Sequence, residues 1–232
     1  MNKENNALLA IAFISICVLA ICLLLPDTRH IAAIKGDANM QYELAECYAK
    51  GIGERHNMPR AVKWYRRAAE QGHADAQYSL ARCYYYGLVV AKDLFEAAKW
   101  YRRSAEQGCA EAQNSLAECY DYGHGVLQND VEAVKWYRKA AEQGNVKAQS
   151  SLASHYRLGW GVAQDDVEGA KWLRKAAEQG YASAQHNLGV CYEFGWGVPR
   201  DLSEALMWYR KAAEQGIPES IKRLSCTGGY LW

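Results

Sequence analysis

An all-α solenoid of antiparallel helix pairs, preceded by an N-terminal hydrophobic helix, is the fold class this 232-residue sequence predicts. Three observations predict it. The stretch Lys63-Trp64-Tyr65-Arg66-Arg67-Ala68-Ala69-Glu70-Gln71-Gly72 returns almost word for word at Lys99 to Gly108, Lys135 to Gly144, Lys171 to Gly180 and Met207 to Gly216, always 36 residues on. Within each copy the apolar residues fall at helical spacing, and glycines stand where the two helices of a pair would end. Self-similarity at a fixed period in this range means units that bury their apolar faces only against their neighbours.

Ala7 to Leu25 opens the chain as nineteen mostly apolar residues closed by Pro26. A helix of that length spans about 28 Å, close to a hydrocarbon core. The run is longer than a signal-peptide core and no small-residue cleavage site follows closely, so residues 1–26 read as an uncleaved single-pass signal anchor contacting the membrane through residues 7–25, with an exported, cleaved form as the alternative. Lys3 on one side and Arg29 with Lys35 on the other leave the orientation open. Residues 27–36 read as a connector.

Five units follow: 37–72, 73–108, 109–144, 145–180 and 181–216. In the second, Ala76, Leu80, Ala81, Cys83 and Tyr84 make one apolar face of a first helix, A, over Ala74 to Tyr86, while Gln77, Ser79, Arg82 and Tyr85 project elsewhere. Gly87, like Gly51, Gly123, Gly159 and Gly195, stops it in a left-handed conformation. Asp93 with Glu96 resembles a capping box at the start of helix B, repeated as Asn129 with Glu132, Asp165 with Glu168 and Asp201 with Glu204. Helix B turns Ala97, Trp100, Tyr101, Ser104 and Ala105 inward and keeps Lys99, Arg102, Arg103 and Glu106 wet. Residues 217–232 hold a sixth helix A, Pro218 to Ser225, without a helix B, expected to cap the array, and a tail.

The Leu-Ala/Gly-x-x-Tyr face, the Gly-x-Gly-Val turn, the Asp/Asn cap, the Glu-Ala-x-Lys-Trp-Tyr-Arg-Lys-Ala-Ala-Glu-Gln-Gly helix and the Ala-x-Ala-Gln start together resemble the Sel1-like repeat family over residues 37–226. Leu188 through Gly216 shows nearly the whole pattern. The resemblance implies a right-handed superhelix related to tetratricopeptide arrays, which binds other proteins and carries no catalytic motif. Departures are Val89-Val90 for Gly-Val, Gly169 in an alanine column, Leu173 for Tyr and Met207 for Lys. Some members staple neighbouring helices with paired cysteines, a pairing this chain lacks.

Composition narrows the function. With 27 basic and 26 acidic residues the net charge is +1, which provides no field to collect nucleic acid. Cys47, Cys83, Cys119 and Cys191 share one column with His155. Stacked A helices lie about 8–10 Å apart, beyond the roughly 7 Å Cα reach of a disulfide, so these read as core thiols. No Cys-x-x-Cys spacing, nucleophile elbow or phosphate loop occurs, and no catalytic residue, metal or cofactor is expected.

What varies between units is the outward side of helix A, the side that lines the concave groove of such solenoids. Tyr42, Tyr78, Arg82, Tyr85, Glu118, Asp121, Arg157, His186 and Glu193 are therefore the expected protein-binding residues, with Tyr and Arg as the favoured anchors. The expected function is a non-enzymatic scaffold holding a protein or peptide. An enzyme inhibitor or cell-wall-associated, hydrolase-like binder is the alternative, and a partnerless spacer a third reading.

Overall fold

The computed structural model describes residues 26–227, so the apolar run 7–25 read as an anchor lies outside the described residues. The described part is all helical, with twelve α-helices. None of them is long and apolar enough to cross a membrane. The chain divides into two compact units between Ser104 and Ala105, within the fifth helix.

The N-terminal unit contains α1 (Pro26–Ile34), α2 (Ala38–Lys50), α3 (Met58–Glu70), α4 (Ala74–Tyr86) and the body of α5 (Leu94–Glu106). Helices α2 and α4 are A helices; α3 and α5 are their B partners. Each A helix stops at a left-handed glycine, Gly51 and Gly87 with φ +71°, whose N–H donates to the Cys47 and Cys83 carbonyls. The connection then returns along the helix end, where Asn57 and Asp93 donate their N–H to the carbonyls of Tyr48 and Tyr84. Their side chains accept from Arg60 N and Glu96 N.

That geometry makes only half of the expected capping box. The N-cap N–H is already satisfied by the tyrosine carbonyl, so Glu96 reaches forward to Lys99 at 2.9 Å instead. Glu132 and Glu168 do the same with Lys135 and Lys171.

Residues 27–36, read above as a connector, hold helix α1. Its Ala32-Ala33-Ile34-Lys35-Gly36 shares the Ala-Ala-x-x-Gly frame of Ala68-Ala69-Glu70-Gln71-Gly72, and it occupies the place of a B helix ahead of the first repeat. Ala33 is fully buried and its carbonyl accepts from Gln41 Nε2 at 2.9 Å. The same bond joins Gln77 to the Ala69 carbonyl at 3.1 Å. Gln77 is thus buried and not outward-facing, because the Ala69 carbonyl, which already accepts from the Gly72 N–H at 3.0 Å, has a second lone pair that the amide fills.

The C-terminal unit contains α6 (Ala110–Tyr122), α7 (Asp130–Glu142), α8 (Val146–Leu158), α9 (Asp166–Glu178), α10 (Ala182–Phe194), α11 (Leu202–Glu214) and α12 (Pro218–Thr227). The glutamine device recurs: Gln113, Gln149 and Gln185 donate to the carbonyls of Ala105, Ala141 and Ala177. They accept in turn from Gln143, Gln179 and Gln215, giving each junction a satisfied pair of amides. Trp136, Trp172 and Trp208 are buried, each covered by a lysine ammonium, Lys139, Lys175 or Lys211, at 3.8–4.2 Å from the ring centre. Arg138 and Arg174 donate to the hydroxyls of Tyr156 and Tyr192 on the next A helix. Arginines on the wet side of helix B therefore link adjacent repeats.

Loops settle the remaining contacts. Gly161 and Gly197, with φ +67° and +69°, lie so close to the first turns of α7 and α9 that a Cβ would overlap the carbonyls of Asp130 and Asp166. In the second repeat the corresponding residue is Val89, which holds φ +69°, a strained conformation for a β-branched side chain. The core thiols Cys83, Cys119 and Cys191 are buried, as is Cys47, which accepts from Arg29 Nη1. At the end, α12 runs to Thr227 and buries Ser220 in the column of Ala76, Ala112, Ala148 and Ala184.

Candidate functional site

The outward columns of the A helices face the tyrosine near the middle of each B helix: Tyr65, Tyr101, Tyr137 and Tyr209, replaced by Leu173 in the fourth repeat. In the N-terminal unit, the Tyr65 hydroxyl donates to Glu46, which also pairs with Lys50. Burial raises the Tyr65 hydroxyl pKa, and the Glu46 hydrogen bond and charge raise it further, so the tyrosine stays a donor. Tyr42 stacks on His73 with ring centres 4.6 Å apart. In the second repeat, Arg82 and Tyr85 stand where acids stand elsewhere, and Tyr101 packs between Tyr78 at 5.9 Å and Tyr85 at 6.3 Å. Arg82 lies 5.8 Å from the Tyr78 ring centre, and Tyr86 is exposed beside Tyr85. The result is a half-buried cluster of aromatic rings with a guanidinium at its rim.

The corresponding columns of the C-terminal unit are polar and largely committed to internal partners. Glu118 accepts from Asn114 Nδ2 at 2.8 Å, and Asp121 accepts from the Tyr137 hydroxyl at 3.2 Å. Asp121 is also 3.5 Å from Nε2 of His155, whose ring is buried. Desolvation pushes the Asp121 carboxyl pKa up and the His155 pKa down. Glu193 accepts from Tyr209 at 2.6 Å and pairs with Arg223 at 2.7 Å. His186 Nδ1 is 2.8 Å from the Ser220 hydroxyl, and burial lowers its pKa. Arg157 differs: its guanidinium lies 5.0 Å from the Trp196 ring centre and pairs with no carboxylate among the described residues.

Eight of the nine expected residues thus fall into two groups, with Arg157 apart. In the N-terminal unit Tyr78, Arg82 and Tyr85 gather around Tyr101, while Tyr42 stacks on His73. Glu118, Asp121, His186 and Glu193 face outward but are tied to Asn114, Tyr137, Ser220 and Tyr209. Beside Arg157 a shallow recess lined by Ser154, Leu173, Asn187, Val190 and Cys191 opens; the sequence marks Leu173 as a departure from the tyrosine column and Cys191 as a core thiol. Among the described residues no group of three or more His, Cys, Asp or Glu side chains could hold a metal ion.

The Sel1 repeat pattern matches residues 38–73, 74–109, 110–145, 146–181 and 182–217. The chain belongs to the Sel1 repeat family. Solved Sel1 repeat proteins share the fold. A protective antigen of uropathogenic Escherichia coli displaying an SLR fold is 37% identical, with a TM-score of 0.82 over 87% of this chain and 43% of the antigen. This chain therefore spans less than half the length of that relative. A Sel1 repeat protein from Oxalobacter formigenes is 36% identical with a TM-score of 0.79, covering 88% of this chain and 79% of its own. An immunity protein from Pseudomonas aeruginosa is 29% identical with a TM-score of 0.52, covering 79% and 66%. No curated protein sequence matches the chain. The array is a Sel1 repeat α-solenoid, an architecture suited to contacts with other proteins.

Proposed function

We propose that this Sel1 repeat protein is a non-enzymatic scaffold that holds a protein or peptide against the outward face of its A helices, attached to a membrane through residues 7–25 or exported after their removal. The observation that carries the reading is the cluster of Tyr78, Tyr85 and Arg82 around the buried Tyr101, with Tyr42 stacked on His73 in the preceding repeat. Half-buried tyrosines offer large contact area at low entropic cost, and an arginine beside them supplies directed donors. Glu118, Asp121, His186 and Glu193 are the expected contacts in the C-terminal unit, with their internal bonds fixing their orientation.

The test is affinity capture with the tagged full-length chain in mild detergent, repeated with Tyr78, Arg82 and Tyr85 changed to alanine. A partner recovered by the native chain and lost by the triple variant supports the face. Equal recovery removes the assignment. Fractionation with protease accessibility on intact cells decides between anchored and exported forms.

An enzyme inhibitor is a second reading. It is compatible with the immunity protein among the similar structures. A captured partner that is an enzyme, and whose turnover falls when the chain is added, would favour it over a simple scaffold.

A further inference from the structure

The fourth repeat departs from its neighbours at two places that normally answer each other. In the third and fifth repeats the B-helix tyrosine donates to an acid on its own A helix, Tyr137 to Asp121 and Tyr209 to Glu193. In the fourth, Leu173 replaces the tyrosine, and the A-helix positions that elsewhere supply acids are Ser154 and Arg157. The phenol and the carboxylate are lost together, and the recess opens beside Leu173.

What remains is complementary to an acid from outside. Arg157 has no carboxylate partner among the described residues, and a guanidinium resting on a ring, as this one does on Trp196, keeps its in-plane N–H donors for another group. Asn187 adds an amide at the same recess, while Leu173, Val190 and Ala153 offer a surface for methylenes. The Ser154 hydroxyl bonds back to the Ser150 carbonyl and carries no charge. The Cys191 thiol is held neutral because burial raises its pKa to about 11.

We infer that the Arg157–Leu173 recess receives an aspartate or glutamate side chain of a polypeptide partner, the partner's carboxylate taking the role that Asp121 and Glu193 fill internally in the adjacent repeats. This rests on the proposed use of the A-helix face. The carboxylate lies against Arg157 and Asn187, and its methylenes cover Leu173 and Val190. A glutamine or an alanine at that point of the partner loses the charge-assisted bonds.

The experiment uses the full-length chain in detergent micelles with 15N-labelled tryptophan, the indole signal of Trp196 being assigned by Trp196→Phe. The probes are N-acetyl-glutamate N-methylamide and its glutamine counterpart. The expected result is a saturable shift of the Trp196 signal with the glutamate probe, at least about tenfold weaker with glutamine, and absent in Arg157→Gln. The double variant R157D/L173Y rebuilds the internal pair; it should fold, shown by its remaining indole signals, and give no shift. The proposal is overturned by no saturable shift up to about 10 mM probe, by equal affinity for both probes, or by an unchanged response in Arg157→Gln. Partner capture separates this from the broader reading: full recovery by Arg157→Gln with loss in the Tyr78, Arg82 and Tyr85 variant removes the recess and leaves the face standing.

Discussion

The third and fourth repeats share a backbone plan and differ in how they finish their outward face. In the third, Tyr137, Asp121, Glu118 and Asn114 bond among themselves. In the fourth, Leu173 and Arg157 leave a recess and an uncommitted guanidinium. Beneath that face the two are alike: a buried tryptophan covered by a lysine, an alanine carbonyl met by a glutamine, and a glycine-stopped A helix. The difference teaches that the repeat separates what holds neighbours together from what faces a partner, so the second can change without loosening the first.

That separation is tested most strongly by Trp136→Ala and Trp172→Ala. Each should cost about 3–5 kcal/mol in chemical denaturation through cavity formation, and the two values should agree within about 1 kcal/mol. A much smaller cost at Trp172 would mean the recess has loosened the fourth repeat. Next, Gly161→Ala should cost about 2–4 kcal/mol, because it adds left-handed strain to an overlap with the Asp130 carbonyl. Gly159→Ala, whose Cβ would meet nothing closer than Gln164 Cβ at 3.5 Å, should cost about 1–2 kcal/mol from strain alone.

Tyr137→Phe should cost about 1–2 kcal/mol by removing the donor to Asp121. In the fourth repeat the cycle of Leu173→Tyr with Arg157→Asp should show favourable coupling of about 1 kcal/mol, recreating the pair its neighbours have. Additive effects would show that the internal pair does not depend on these two positions.

The smallest effect is confined to mild acid. Burial holds the His155 pKa below its usual 6.5, so the unfolded chain binds the proton first as pH falls. Stability should decline below about pH 6.5, and less so in His155→Cys, the residue of the same column elsewhere. The raised Asp121 carboxyl acts oppositely but titrates from its ordinary value near 3.8 upward. Melting temperatures at pH 7.5 and 5.5 report mainly the histidine. An equal drop in both proteins would assign the loss elsewhere.

Helix order, glycine stops and the tryptophan core were legible because each rests on local spacing repeated five times. Helix α1 was equally present in the Ala-Ala-x-x-Gly word, but a single copy without its tryptophan did not announce itself. Gln77 differs from the expectation because amphipathic periodicity treats an amide as polar and outward, whereas the carbonyl it donates to belongs to another helix. Variation between the repeats marked Leu173 as a departure and Arg157 as a variable outward residue, yet gave no reason to read them together.

By itself the sequence determined the period, the pairing of helices and the family, since those follow from backbone hydrogen bonding and apolar spacing within one 36-residue unit. The tertiary structure alone decided which outward side chains are already spoken for. Tyr137 reaches Asp121, Tyr209 reaches Glu193 and Arg157 leans on Trp196 across sequence gaps of 16 to 39 residues. Those bonds depend on angstrom-scale placement between helices, which no periodicity along a single strand of text encodes.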